Sequence, residues 1–166
     1  MDTEIARGRF LSLKVRGRWE FVERTNASEI VAVIAVTPEK ELILVEQYRP
    51  QVESRVIELP AGLVGDVEGD DSVEEAGGRE LLEETGYRAG SLMALFKGPI
   101  SAGLSTEILT VVKADDLERE HEGGGIEGED IQVHRIPVSE VKQWLLNAPV
   151  MVDPKVFAAL IFLDND

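Results

Sequence analysis

Apolar positions along the chain fall into short extended runs, broken once by a strong helical pattern. Residues 9–15 (RFLSLKV) and 19–23 (WEFVE) flank the turn signal RGR and predict a hairpin. Residues 30–36 (IVAVIAV) and 42–47 (LILVEQ) are apolar and β-branched, and the intervening TPEKE predicts a second hairpin of two central strands. VIELPAG reads as a short strand stopped by Pro60 and Gly62. After the glycine-rich, acidic loop 62–72, Ser72 and Glu75 form a capping-box pattern, so a helix is expected from there to about Thr85, with Gly86 as its stop. Further strands are expected at 92–96, 108–112 and 131–136, and helices at 139–146 and 154–163. Many strands with few helices predict an α/β sandwich around a mixed sheet.

Composition narrows the classes. A chain of 166 residues with 43% hydrophobic and 30% charged residues suits one compact domain with a small appended element. It has no cysteine, which excludes disulfide scaffolds, thiolate metal sites and thiol nucleophiles, and is compatible with a reducing cytoplasm. The longest apolar run is too short to cross a bilayer and the first ten residues lack the hydrophobic stretch of a secretion signal, so a cytoplasmic location is expected. A formal charge of -15 argues against nucleic acid or an anionic membrane as partner, since each needs a basic surface. An anionic ligand would need a divalent cation between itself and the protein.

The segment RELLEETGY, residues 79–87, raises the main chemical question. On a helix, Glu80, Glu83 and Glu84 share one face, where their mutual repulsion is unfavourable unless something positive sits among them. Hard carboxylate oxygens on a common face suit Mg²⁺ or Mn²⁺.

The same segment resembles the second half of the Nudix hydrolase signature, G-x5-E-x7-R-E-U-x-E-E-x-G-U, at every fixed position from Arg79 to Tyr87. The resemblance implies a Nudix-type α/β/α sandwich in which Glu80 and Glu84 are direct metal ligands. Glu83 would be a direct or water-mediated one, the Ala61 carbonyl a further ligand, and Arg79 the partner that orients a carboxylate. The first half departs from the signature. The loop is three residues longer, so that counting forward from Gly62 reaches Glu68 and counting back from Arg79 reaches Asp71; either can stand for the loop glutamate.

VEQYRP, ELPAG, SAGLSTE and EGEDIQVHRIP resemble the ADP-ribose pyrophosphatase and nucleoside diphosphate sugar hydrolase branch. That branch implies hydrolysis of a diphosphate bond, giving a nucleoside monophosphate and a sugar phosphate. Arg49 is the expected diphosphate contact, its planar fork matching phosphate oxygens, and Glu107 is expected to support the metal site or bind ligand. Alanine at 102, where the branch has proline, points to altered selection near that loop. GRWEFVER resembles the branch's extra β element, which implies residues 1–27 as a dimer-forming N-terminal unit before a domain at 28–166, with Trp19 or Phe21 stacking on a base. The glycine-rich loop HEGGGIEGEDI is expected to be mobile and to supply the general base, Glu127, with Glu129 assisting at the metal. His134 reads as a core or edge histidine. A Nudix-fold sensor that binds without cleaving, and a nucleoside triphosphate pyrophosphohydrolase, are the alternatives; the intact carboxylates disfavour the first, the branch segments the second.

Overall fold

The runs at 30–36 and 42–47 build the middle of the molecule, because residues 31–35 and 42–45 are wholly buried and need cover on both faces. The computed structural model describes residues 2–27, 29–65, 71–126 and 128–163. The chain order is β1 (Thr3–Arg7), β2 (Leu11–Arg16), β3 (Trp19–Arg24), β4 (Glu29–Ala35), β5 (Glu41–Arg49), β6 (Ser54–Glu58), β7 (Ala61–Val64) and α1 (Val73–Thr85). It continues through β8 (Tyr87–Pro99), β9 (Ile108–Arg119), β10 (Ile131–Pro137), α2 (Val141–Leu146), β11 (Met151–Val152) and α3 (Pro154–Ala159), with a 3-10 turn at Leu160–Phe162.

The expected central hairpin is corrected. The turn itself forms, with the Thr37 N–H donating to the Glu41 carbonyl at 2.9 Å, but among the described residues Val36 to Leu42 is an isolated bridge, and the two strands then diverge. β4 enters a four-stranded sheet ordered β7-β4-β9-β8, parallel to β9, while β5 enters another ordered β10-β5-β6-β11. An all-apolar strand carries no mark of its neighbours, and both edges of β4 and of β5 are taken by other strands. The strand before Pro60 ends at Glu58, as expected, and β7, which begins at Ala61, belongs to the other four-stranded sheet. β1 pairs with β2 although its residues are all exposed and show no apolar pattern. The helix expected at 139–146 starts at Val141, and the one expected at 154–163 tightens to 3-10 after Ala159.

Helices cover both sides, as an α/β/α arrangement requires. From α1, Ala76 and Leu81 pack with Val31, Val33 and Val112. On the other side Val141, Leu145, Val156 and Ala159 of α2 and α3 pack with Ala32, Ile34, Leu44 and Ile57. Gly77 lets α1 approach closely, because a Cβ there would lie 3.1 Å from a Val31 methyl and 3.3 Å from one of Val112. The ends of α1 are fixed as expected. Ser72 and Glu75 exchange both capping-box hydrogen bonds, and Gly86 closes the helix at φ 77° with its N–H on the Leu82 carbonyl; a cap of this kind contributes about 1 kcal/mol.

β1, β2 and β3 form a separate three-stranded sheet. In β2 the half-buried apolar face is incomplete: Leu13 and Val15 are partly covered, Leu11 is exposed, and Ser12 is the buried residue. The sheet is sewn to the 101–107 loop, where the Val22 N–H donates to the Leu104 carbonyl at 2.9 Å and Thr106 N–H to the Val22 carbonyl at 3.1 Å. Among the described residues, no helix is long and apolar enough to cross a membrane.

Candidate active site

The helical spacing of Glu80 and Glu84 turns both side chains toward β7, where they line one cavity of about 490 Å³ with Arg49, Ala61, Gly62 and Glu129. Close packing makes this possible. A Cβ on Gly62 would fall 2.1 Å from the Glu80 side chain, so glycine leaves the room that the carboxylate occupies. Glu84 is 5% exposed and its Oε2 accepts the Ala61 N–H at 3.1 Å. Burial, with Glu80 and Glu129 nearby, pushes its carboxyl up to about 8, against the pull of the Ala61 N–H and Arg49.

Arg79 gathers the acids at the rim. It donates to Glu80 at 2.7 Å and to Asp71 at 3.4 Å, and stands 3.9 Å from Glu83. Asp71 also accepts the Gly65 N–H at 2.8 Å, closing the long loop at its base. Of the two loop acids, Asp71 is in contact with Arg79, and Glu68 lies outside the described residues. Glu83 does not line the cavity; its side chain is half exposed on the Arg79 side.

Among the described residues no three carboxylates stand close enough to enclose an ion as they lie. Their donor chemistry nevertheless fits a hard divalent cation: Glu80, Glu84, Glu129 and the Ala61 carbonyl offer oxygen only, and a carboxyl held near 8 by burial is ionised by a neighbouring positive charge.

The glycine loop hydrogen-bonds to the end of α1. Gly124 N–H donates to the Glu84 carbonyl at 2.8 Å and Gly125 N–H to that of Glu83 at 3.1 Å, so the loop takes up carbonyls at the open end of α1. Gly123 has φ 75° and its missing Cβ would sit 2.5 Å from the Thr85 backbone, which only glycine allows. Glu129 reaches the cavity, and Glu127 lies outside the described residues.

Arg49 is aimed by Glu58, which accepts from its Nε at 2.7 Å and from a terminal nitrogen at 2.5 Å. Trp19 and Phe21 stand elsewhere, around a second cavity of about 550 Å³ with Ala102, Gly103 and Ser105. Glu107 is outside the carboxylate cavity and pairs with Arg24 at 2.9 Å. His134 is in a strand, as expected, and contacts Glu46 at 2.9 Å. Sequence reasoning missed Arg24, Asp153 and Lys155, all of which line the carboxylate cavity. Asp153 and Pro154 carry a helix-start signal, and the Asp153 carboxylate does cap α3, but a cap gives no hint of a cavity wall brought in from the far end of the chain.

The geometry agrees with the chain's relatives. A Bacillus methanolicus protein described as a methanol dehydrogenase activator is 33% identical over 134 residues, 80% of this chain and 70% of that one. A GDP-mannose pyrophosphatase of Cronobacter sakazakii is 34% identical over 135 residues, covering 76% of this chain and 67% of the relative. That of Escherichia coli is 29% identical over 159 residues, 91% and 80%. A crystal structure of an ADP compounds hydrolase matches with a TM-score of 0.78 at 28% identity, over 97% of this chain and 88% of the other. Residues 28–158 match the NUDIX domain, and with the carboxylate helix, its arginine and the glycine of β7 all meeting at one cavity, this chain belongs to the Nudix family.

Proposed function

We propose that the protein hydrolyses the diphosphate bond of ADP-ribose or a related nucleoside diphosphate sugar, with Mg²⁺ or Mn²⁺, to a nucleoside monophosphate and a sugar phosphate. The observation that carries this reading is the cavity in which Glu80, Glu84 and Ala61 lie opposite Arg49, in a Nudix chain whose relatives include GDP-mannose pyrophosphatases and an ADP compounds hydrolase. Those relatives differ in nucleotide and agree on the class.

Glu80, Glu84, Glu129 and the Ala61 carbonyl would hold the divalent cation, which would supply positive charge against the diphosphate and acidify water. Arg49, held by Glu58, grips non-bridging phosphate oxygens, with Arg24 and Lys155 on the same wall. Water oxygen bonds to one phosphorus while the bridging P–O bond on that phosphorus breaks, and the other phosphate leaves as a monoester. A loop glutamate takes the water's proton. As the branch resemblance implies, we assign this to Glu127, with Glu129, a loop carboxylate that lines the cavity, as the competing candidate. Arg79 keeps Glu80 oriented, and Glu83 supports the cluster from the rim.

Trp19 or Phe21 stacks on the base in the second cavity. Residues 1–27 form a dimerising element: Ile5, Phe10, Leu11 and Trp19 are exposed on it, and a second copy would cover them. A chain without cysteine is suited to the cytoplasm, where we place it.

The test is a panel of ADP-ribose, GDP-mannose, UDP-glucose, a nucleoside triphosphate and coenzyme A, each with Mg²⁺ and with Mn²⁺, products being identified by mass. Monophosphate and sugar phosphate from the sugars are expected. Cleavage of triphosphates alone, or of nothing, would reject the reading, and light scattering on the same sample reports the dimer.

A further inference from the structure

A chain of polar side chains outside the cavity ends at the residue next to Glu129. Arg55, on β6, spends every nitrogen of its guanidinium. Its Nε donates to the Glu46 carboxylate at 2.6 Å, one terminal nitrogen to the Asp130 carboxylate at 2.8 Å, and the other to the backbone carbonyls of Glu46 at 3.0 Å and Asp130 at 3.4 Å. Glu46, on β5, is held from its other side by His134 Nε2 at 2.9 Å, and the His134 ring lies 5.1 Å from that of Trp144 on α2. The strands that flank β5 thus converge, through one partly buried carboxylate, on a single loop residue.

From these contacts we infer that Arg55 is a positioning residue for the reaction, setting Glu129 against Glu80 and Glu84 by gripping Asp130. Two anchors define the segment. On one side Gly124 and Gly125 hang from the carbonyls of Glu84 and Glu83. On the other, Arg55 holds both the side chain and the carbonyl of Asp130, immediately before β10 begins. Glu129 enters the cavity between them, its N–H on the Ile126 carbonyl at 3.0 Å. The Asp130 side chain is 86% exposed, so as a stabilising ion pair this contact contributes little. Its weight is geometric: a planar guanidinium already held by Glu46 presents its remaining donors to Asp130 in a set direction. Arg55 does not line the cavity and touches no substrate in this scheme.

This inference rests on the reading of the cavity as a diphosphate hydrolase site, and the experiment separates the two. Arg55→Ala, Arg55→Lys and Asp130→Asn are compared with wild type, and each is combined with Glu129→Gln. Loss of a partner that orients a ligating or catalytic group typically costs about 10- to 100-fold. We expect that loss in kcat for both Arg55 variants with KM changed less than about 3-fold, a smaller loss in the same direction for Asp130→Asn, and no rescue by lysine, which keeps the charge without the fork. In the Glu129→Gln background the Arg55 substitutions should cost almost nothing further, since the residue they position has already lost its charge. Hydrogen exchange of the intact protein gives a readout independent of turnover: amides of residues 129–131 should exchange faster in the Arg55 variants while those of α1 do not. Wild-type kcat in Arg55→Ala, full rescue by lysine, losses that multiply with Glu129→Gln, or unchanged exchange at 129–131 would each overturn the inference. Should Arg55→Ala not fold, Asp130→Asn decides, because it alters an exposed side chain. Should wild type cleave no diphosphate conjugate, the functional reading falls and the exchange data alone decide the positioning.

Discussion

Two acidic segments meet at the same cavity and get there by opposite means. On α1 the carboxylates of Glu80 and Glu84 are placed by the helix itself: spacing sets the face, Ser72 and Gly86 set the ends, and Gly77 lets the helix lie close to β4 and β9. In the loop that carries Glu129, the local bonds are few: its N–H donates to the Ile126 carbonyl and its carboxylate accepts the Ile126 N–H. The segment itself is placed by carbonyls at the end of α1 and by Arg55 on β6. A helix carries its geometry in its own backbone hydrogen bonds, whereas a loop borrows its geometry from neighbours. Damage to the first segment should therefore act on charge, and damage to the second on distance.

The largest effect is expected on the helix. Glu84→Gln keeps the shape of a residue whose carboxyl is held protonated near 8, so the fold survives, yet turnover should fall about 100-fold or more and the divalent-cation requirement should rise with it. The same substitution has a stability signature. Without divalent cation the folded protein keeps a proton on Glu84 that the unfolded chain releases at its ordinary 4.5, so wild-type stability should fall as pH rises from about 4.5 to about 8 and level off above that. Glu84→Gln should remove this component, and added Mg²⁺ should stabilise wild type more at the upper end of that window than at the lower, because a ligating carboxylate must be ionised. Thermal unfolding in chelator and in Mg²⁺ across the window measures all of this; turnover near wild type in Glu84→Gln at limiting Mg²⁺ would remove the site assignment.

Next in size is the contrast between the loop glutamates. Glu127→Gln should reduce kcat by about 10²- to 10⁴-fold if Glu127 takes the water's proton, with substrate binding much less affected, while Glu129→Gln should show more in the metal dependence. Loss of turnover in Glu129→Gln alone exchanges the two roles, and indifference to both moves the base back to the helix, with Glu83 next.

Smaller, and aimed at distance rather than charge, is Gly123→Ala. The residue sits at φ 75° with the Thr85 backbone where its Cβ must go, so the loop has to shift off α1. A stability loss of about 1 to 3 kcal/mol is expected from the strained conformation, with a fall in turnover smaller than that of Glu127→Gln. Denaturant unfolding paired with steady-state kinetics checks it; full activity with the loss of stability would show that docking of the loop on α1 does not matter to Glu129.

Much of α1 was legible because its signals are local. The capping box, the glycine stop and the i, i+3, i+4 acids are all relations between residues within one or two turns; the structure keeps the first two and brings Glu80 and Glu84, though not Glu83, to the cavity. The motif in residues 79–87 was equally legible, and with it the family, since its members are close in sequence and need no knowledge of what packs against them. The sequence also determined the two-sided burial of residues 31–35 and 42–45, because unbroken apolar runs leave no face for water.

Partnership was decided only by the tertiary structure. β4 and β5 part into two sheets because hydrogen-bonding edges are the same for every strand, and sequence marks faces more clearly than edges. Asp71 meets Arg79 across eight residues, Arg24 is drawn to Glu107, and Asp153 and Lys155 arrive from near the end of the chain to wall the cavity. The glycines at 123–125 looked like freedom and serve as a dock, for the same physical reason: a residue without a Cβ is permissive in isolation, and becomes a fixed point only when a particular backbone, here that of Thr85, occupies the space the side chain would have filled.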